Sequence, residues 1–304
     1  MLKKIELFFK KNLLKIRWQE ILAVLILFLA FVFFRSERKE MSSILPQLHQ
    51  AKPLWIAVGI FLTAIYVLLQ SLMYMTSFRA VGVSLKLTDA LELFLKRNFL
   101  SVFLPAGGIS SLAYTPRQLQ RKDYDKNAIH KASAIYGFVG IVTVFLVGVP
   151  VVAYSAFVNK SFGDSWIWLL GVGIFIALVF WMVNSLRTQG FYYQLIAKYF
   201  PKNIISIDEF LSGEIDKKHF LYTVFVSILI EFCGIFHLLI AMFAFGAEGS
   251  FSAAAIGYTV SVLLMLVSPF LRGLGAVEFT LIYILANFGF THSQGLGITL
   301  LYRV

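Results

Sequence analysis

The sequence predicts an all-α, polytopic integral membrane protein, and three observations carry that prediction. Of 304 residues, 59% are hydrophobic and only 14% charged, against about 25% charged in a soluble domain. The mean hydropathy is +0.80. The apolar residues fall in long unbroken runs, not in the short alternating segments of a membrane barrel. Backbone polar groups in hydrocarbon must bond within their own segment, so each run reads as a helix.

The elements follow in order. Residues 1–17 set Leu2, Ile5, Phe8, Phe9, Leu13 and Ile16 against Lys3, Lys4, Lys10, Lys11, Lys15 and Arg17. This is the pattern of a basic amphipathic helix lying on an anionic lipid surface. A transmembrane domain then occupies residues 18–304, with about seven to eight membrane-spanning helices. The first apolar run, 21–34, ends in Arg35-Ser36-Glu37-Arg38-Lys39 and not in the small residues of a cleavage site, so it reads as an uncleaved span. Pro53 opens a second span over 54–77. Residues 88–118 hold a short apolar core followed by Pro105-Ala106-Gly107-Gly108, too interrupted to cross, and predict a re-entrant segment. Further spans are expected over 132–157, 166–186 and 220–245, with a polar connector over 187–219. Another covers 251–267, and a break over about 268–278 precedes a resumed helix at 276–288. A final apolar run, 296–304, is still in progress at the last residue, which gives the C-terminus the look of a truncation.

Charge orients the expected bundle. Six Lys/Arg at the N-terminus, nine between Arg79 and Lys131, and five between Arg187 and Lys218 fall on one side, against five in the other loops. The positive-inside rule then places the N-terminus in the cytoplasm, provided that the Pro-Gly segment enters and leaves on one face. The net charge of +11 fits anionic membrane lipids as partners better than nucleic acid. The single cysteine, Cys233, excludes an internal disulfide and a cysteine zinc site, and it reads as a small core residue. His49, His130, His219, His237 and His292 are scattered, so no metal or other cofactor is expected. A phosphate-binding loop of the nucleotide-hydrolysing type is absent from the sequence, which argues against ATP as an internal drive.

Two segments stand apart, Phe103-Leu104-Pro105-Ala106-Gly107-Gly108-Ile109-Ser110 and Ser268-Pro269-Phe270-Leu271-Arg272-Gly273-Leu274-Gly275-Ala276-Val277-Glu278. Each puts a proline shortly ahead of two glycines inside apolar sequence. Such interruptions at corresponding places of two halves point to a transporter binding site, and an inverted repeat is one arrangement the pattern allows. Broken helices offer backbone N–H groups to phosphate, and glycine lets that backbone approach closely. Pro105, Gly107, Gly108, Gly273 and Gly275 are the candidates for this role. Ser110 and Ser111 supply hydroxyl donors, and Arg272 a bidentate donor to phosphate. The competing reading is a pair of packing kinks.

Charges within spans are functional by default. Glu231 falls near the middle of its span; Arg272 and Glu278 flank the second break. Either a carboxylate meets a cationic headgroup while Arg272 holds phosphate, or an Arg272–Glu pair only shapes the break. His237 reads as an ordinary packed residue, Gln70 and Asn184 as interhelical hydrogen-bonders, and Arg97 as either lining the entrance of the re-entrant segment or, the preferred reading, facing the cytoplasm.

The leucine-proline-glycine-glycine loop after a short helix, and the later proline-glycine-glycine-acid break, resemble the membrane region of the MprF-type lysylphosphatidylglycerol synthase/flippase family. The resemblance runs from about Trp18 to Val304. It implies a multi-pass protein of a bacterial cytoplasmic membrane that translocates a phospholipid, with aminoacylated phosphatidylglycerol as the family's example. It implies no synthase chemistry, since the aminoacyl-transferase domain of the two-function members has no counterpart here; the chain is expected to be a transporter and not an enzyme, with no catalytic residues. A separate synthase or synthase domain, and a second copy of the chain, are the protein partners it allows. Two alternatives stay open, a non-catalytic membrane partner of a lipid-modifying synthase and an integral-membrane enzyme acting on lipid-linked substrates.

Overall fold

The computed structural model describes residues 51–104, 111–114, 124–158, 181, 184–185, 188–199, 215–267 and 275–303. The described residues form eight α-helices and a short 3-10 turn. The helices are α1 (Pro53–Arg79), α2 (Leu87–Phe103), α3 (Lys126–Val158), α4 (Phe191–Tyr199), α5 (Lys217–Ala244), α6 (Phe251–Val267), α7 (Ala276–Asn287) and α8 (His292–Arg303). The 3-10 turn is Ser111–Ala113. The expected interfacial helix at 1–17 and the runs at 21–34 and 166–180 lie outside the described residues.

Helix α1 starts where Pro53 places a residue that needs no N–H partner in the first turn. It has 27 residues, about 40 Å of helix, enough to cross a hydrocarbon core of about 30 Å. Among the described residues, α1, most of α3 and α5 are long and apolar enough to span a membrane, and α6 and α7 are shorter apolar helices. Their outward sides are apolar: Leu54, Ile60 and Phe61 on α1, Phe225 and Phe236 on α5, and Phe279 and Tyr283 on α7 are exposed. Water would not tolerate that surface, but lipid does. Small and hydroxyl residues turn inward instead, among them Ser71, Ser77, Thr143, Ser227, Ala253, Ala254 and Ala255. They let helices approach closely and bond across the gap, as Thr143 and Ser227 do at 2.6 Å between α3 and α5.

Helices α1 and α5 form the most extensive helix pair, and they run antiparallel. The Lys52 amide, just before α1, donates to the Ala244 carbonyl at the end of α5 at 2.8 Å; the Asp216 amide, just before α5, donates to the Ala80 carbonyl at the end of α1 at 2.9 Å. These two bonds are images of each other, because 52 corresponds to 216 and 80 to 244. The same shift of 164 residues carries Leu87–Phe103 onto Phe251–Val267 without a gap. It also carries Gly82 (φ 79°) onto Gly246 (φ 69°) and Pro105 onto Pro269. In one half α1 packs on α2 and α3; in the other α5 packs on α6 and α8. The molecule is therefore built on an inverted repeat, with α2 and α6 entering from opposite ends.

The start of α2 meets the start of α3. Leu85 and Ala90, where α2 begins, share a core with Tyr74 and Phe78 of α1 and with Ile129 and Ala132, where α3 begins. The chain thus enters along α2 and has returned to the Arg79 end of the bundle by α3.

Candidate functional site

Helix α5 carries Glu231 at its middle, about 21 Å along the helix from Lys217. Its side chain is 5% exposed. The Tyr258 hydroxyl of α6 donates to Oε2 of Glu231 at 2.9 Å. Gly234 makes the contact possible, since it lies one turn from Glu231 on the face that meets the Tyr258 ring; a Cβ there would sit 2.0 Å from a ring carbon. Tyr258 is otherwise held by Leu238, Leu281 and the partly buried Tyr302. A buried carboxyl group with a phenol donor is a polar point in an apolar interior, able to accept a hydrogen bond or a cation from a headgroup.

Between α1, α2 and α3 a second polar set is buried. Tyr136 of α3 donates to Oε1 of Gln70, and Nε2 of Gln70 donates to the Tyr66 hydroxyl at 2.8 Å. The Tyr136 ring stacks on Tyr74 with centroids 3.9 Å apart. Arg97 of α2 completes the set. Sequence reasoning placed Arg97 facing the cytoplasm; the structure corrects this, for the residue is 2% exposed and is among the largest fully buried side chains. Its guanidinium donates to the carbonyls of Tyr114 at 3.0 Å and Leu112 at 2.9 Å. It also donates to the hydroxyls of Ser133 at 2.8 Å and Tyr74 at 3.4 Å. Four acceptors on three other elements outweigh the preference of a lone arginine for water.

The other candidates distribute as follows. Gly275 stands immediately before α7 with φ 82°, a backbone region that favours glycine, so α7 begins within the break expected over about 268–278. Glu278 lies in the first turn of α7, and its carboxylate pairs with Arg303 of α8; both side chains are nearly buried, at 13% and 14%. Arg303 is a partner that sequence reasoning did not name. Glu231 and Glu278 thus have separate partners. Ser111 is buried at the start of the turn beside Arg97. Pro105, Gly107, Gly108, Ser110, Arg272 and Gly273 lie outside the described residues. Gln70 bridges α1 and α3, as expected. Asn184 is exposed. His237 accepts from or donates to Thr63 at 3.1 Å between α5 and α1. Cys233 is a buried core residue.

Apolar helices with lipid-compatible outer faces, folded as two inverted halves around buried polar groups, define a multi-pass helical membrane protein. Its sequence matches the family described as the lysylphosphatidylglycerol synthase TM region over residues 21–304, and the chain belongs to that family. No curated protein matches the chain. No solved structure matches it either.

Proposed function

We propose that this chain moves a phospholipid headgroup from one leaflet of the bacterial cytoplasmic membrane to the other, with the N-terminus in the cytoplasm. One observation supports the reading: helices α2 and α6, each followed closely in the sequence by a proline, occupy equivalent places in halves that enter from opposite ends. That architecture suits a pathway opened alternately to either side. Membership of a family named for a phospholipid supports the cargo. An aminoacylated phosphatidylglycerol is the cargo suggested by that name. Glu231 with Tyr258 supplies a buried acceptor for a cationic headgroup, and Arg272 with the glycines of the two breaks supplies donors to phosphate. The chain then acts as a transporter and not an enzyme.

The test is movement of labelled phospholipid between leaflets of liposomes holding wild type, Glu231→Gln or Arg272→Ala, at equal amounts of folded protein. Wild type is expected to move lipid, and each substitution to slow it at least about tenfold, the loss of a charge-assisted contact. Wild type that is folded but moves neither neutral, anionic nor lysyl-headgroup lipid would refute translocation. It would favour the second reading, a membrane partner that positions a separate synthase, which the word synthase in the family's description supports.

A further inference from the structure

We propose that the exposed Thr63–His237 pair is a lipid-binding site on the outward surface of α1 and α5, and that it takes a hydroxyl of the headgroup. The proposal rests on the lipid reading above and adds a place where a headgroup meets the protein outside the buried polar groups.

The two side chains set the chemistry. Thr63 donates its hydroxyl hydrogen to the Gly59 carbonyl, one turn earlier in α1, at 3.0 Å. The same oxygen lies 3.1 Å from Nε2 of His237 on α5. With the threonine hydrogen already placed, Nε2–H is the donor of the second bond. A hydroxyl oxygen has two lone pairs. His237 occupies one, and the other is left for a ligand that brings a hydrogen. An ionised phosphodiester accepts hydrogen bonds and offers none; a hydroxyl offers one. The surroundings are uncharged. Helix α1 carries no charged residue between Pro53 and Arg79, and Glu231, six residues from His237 on α5, is bonded to Tyr258 of α6. A neutral acceptor suits a hydroxyl, whereas an ammonium is held better by a carboxylate.

Access is direct. Thr63 is exposed and His237 half-buried, so a headgroup needs no passage through packed side chains. The Thr143–Ser227 bond, which joins α3 to α5, is buried instead. The neighbouring exposed residues Ile60, Phe61 and Phe236 are apolar and suit lipid tails. Thr63 lies ten residues into α1, about 15 Å from its start, which is inside a hydrocarbon core of about 30 Å. Hydrocarbon leaves the open lone pair unsatisfied, and a headgroup hydroxyl satisfies it. The Tyr66 ring packs edge-on against His237 with centroids 6.2 Å apart, and its hydroxyl accepts from Gln70. The site thus adjoins the polar set between α1, α2 and α3.

The imidazole NMR signal of His237 tests the site, in the full chain with isotope-labelled histidines in lipid-free maltoside micelles; its loss in His237→Gln identifies it. Short-chain phosphatidylglycerol is compared with phosphatidylmethanol, which keeps the phosphate and lacks the hydroxyls, with phosphatidylethanolamine, and with free glycerol. Phosphatidylglycerol is expected to shift the signal at a concentration about fivefold lower than phosphatidylmethanol, the contribution of one neutral hydrogen bond. Thr63→Val, which loses the accepting oxygen, is expected to abolish that preference, and Thr63→Ser, which retains it, to keep it. Equal responses to phosphatidylglycerol and phosphatidylmethanol overturn the site, whatever the variants do. So does a preference that survives in Thr63→Val. Phosphatidylethanolamine matching phosphatidylglycerol would give the site to an ammonium, and free glycerol matching it would give the site to a small polyol; either overturns a hydroxylated lipid as the occupant. Because the signal reads binding and not movement, a chain that moves no lipid but prefers phosphatidylglycerol here would refute translocation and leave the site standing. A chain that moves lipid without that preference would do the reverse.

Discussion

The α-carbon of Gly234 faces the ring of Tyr258 so closely that a methyl group there would fall 2.0 Å from Cε2 and 2.4 Å from Cζ. Gly234 thereby fixes where the Tyr258 hydroxyl meets Glu231. Gly234→Ala is expected to push the ring aside, lowering stability by about 1–3 kcal/mol through overpacking. Tyr258→Phe keeps the ring and removes only the donor, so its cost is expected to be smaller, about 1 kcal/mol. Thermal unfolding of both variants in one detergent checks the order; a Gly234→Ala protein as stable as wild type would show that the ring is free to move.

The inverted repeat makes a prediction about pairs of positions. Trp55 and Phe243 stack with centroids 4.7 Å apart at one end of the α1–α5 pair. The repeat shift turns this pair into His219 and Arg79 at the other end. In a Cys233→Ser background, Trp55→Cys with Phe243→Cys, and Arg79→Cys with His219→Cys, are both expected to cross-link on oxidation. Cross-linking confined to the first pair would contradict the symmetry.

Glu278 and Arg303 neutralise each other in a nearly dry setting. Removing one charge strands the other, so Glu278→Gln alone is expected to destabilise by about 3–5 kcal/mol. The double replacement Glu278→Gln with Arg303→Met is expected to recover most of that loss. Unfolding of the single and double variants decides it, and additive losses would show that the pair is not coupled.

Asp216 caps α5, accepting from the amides of Lys218 and His219. The His219 side chain, foremost, and these amides hold its carboxyl below the usual aspartate range. A carboxylate depressed by folding adds stability that is present above its unfolded pKa and lost as pH falls through the folded one. Asp216→Asn keeps a capping oxygen without charge. Wild type is expected to exceed it in melting temperature at pH 7, with the gap closing as pH drops below about 4. A gap that is constant across that range would remove the charge from the account.

Much of the fold was legible in the sequence, because long apolar runs report their own helices. The run at 251–267 coincides with α6, and the span expected at 54–77 with all but the ends of α1. Helix α8 begins at His292 rather than 296, since the Gln294 side chain accepts from the amide and hydroxyl of Thr291 and starts the helix earlier than hydropathy shows. The site was less legible. Glu231 announced itself as a charge among apolar residues; its partner Tyr258 did not, for a tyrosine in a span carries no such mark. The preferred reading of Arg97 failed because α2 is only mildly apolar, and the acceptors that bury its guanidinium lie 23 positions earlier and 15 to 36 positions later. The repeat shows scarcely at all in residue identity. It survives in helix lengths, in the two turn glycines and in the two prolines.

The reciprocal bonds between Lys52 and Ala244, and between Asp216 and Ala80, set a timetable for making this protein. Each bond ties an end of α1 to an end of α5. A ribosome adding about 5–20 residues per second separates the arrival of the two helices by roughly ten to thirty seconds. During that wait α1 lies in the bilayer without its main neighbour. Its buried hydroxyls are already provided for, because Ser71 donates to the Val67 carbonyl at 2.9 Å and Ser77 to the Met73 carbonyl at 2.7 Å, both within the same helix. A helix whose buried serines are satisfied by its own backbone can be left in lipid until its twin is synthesised.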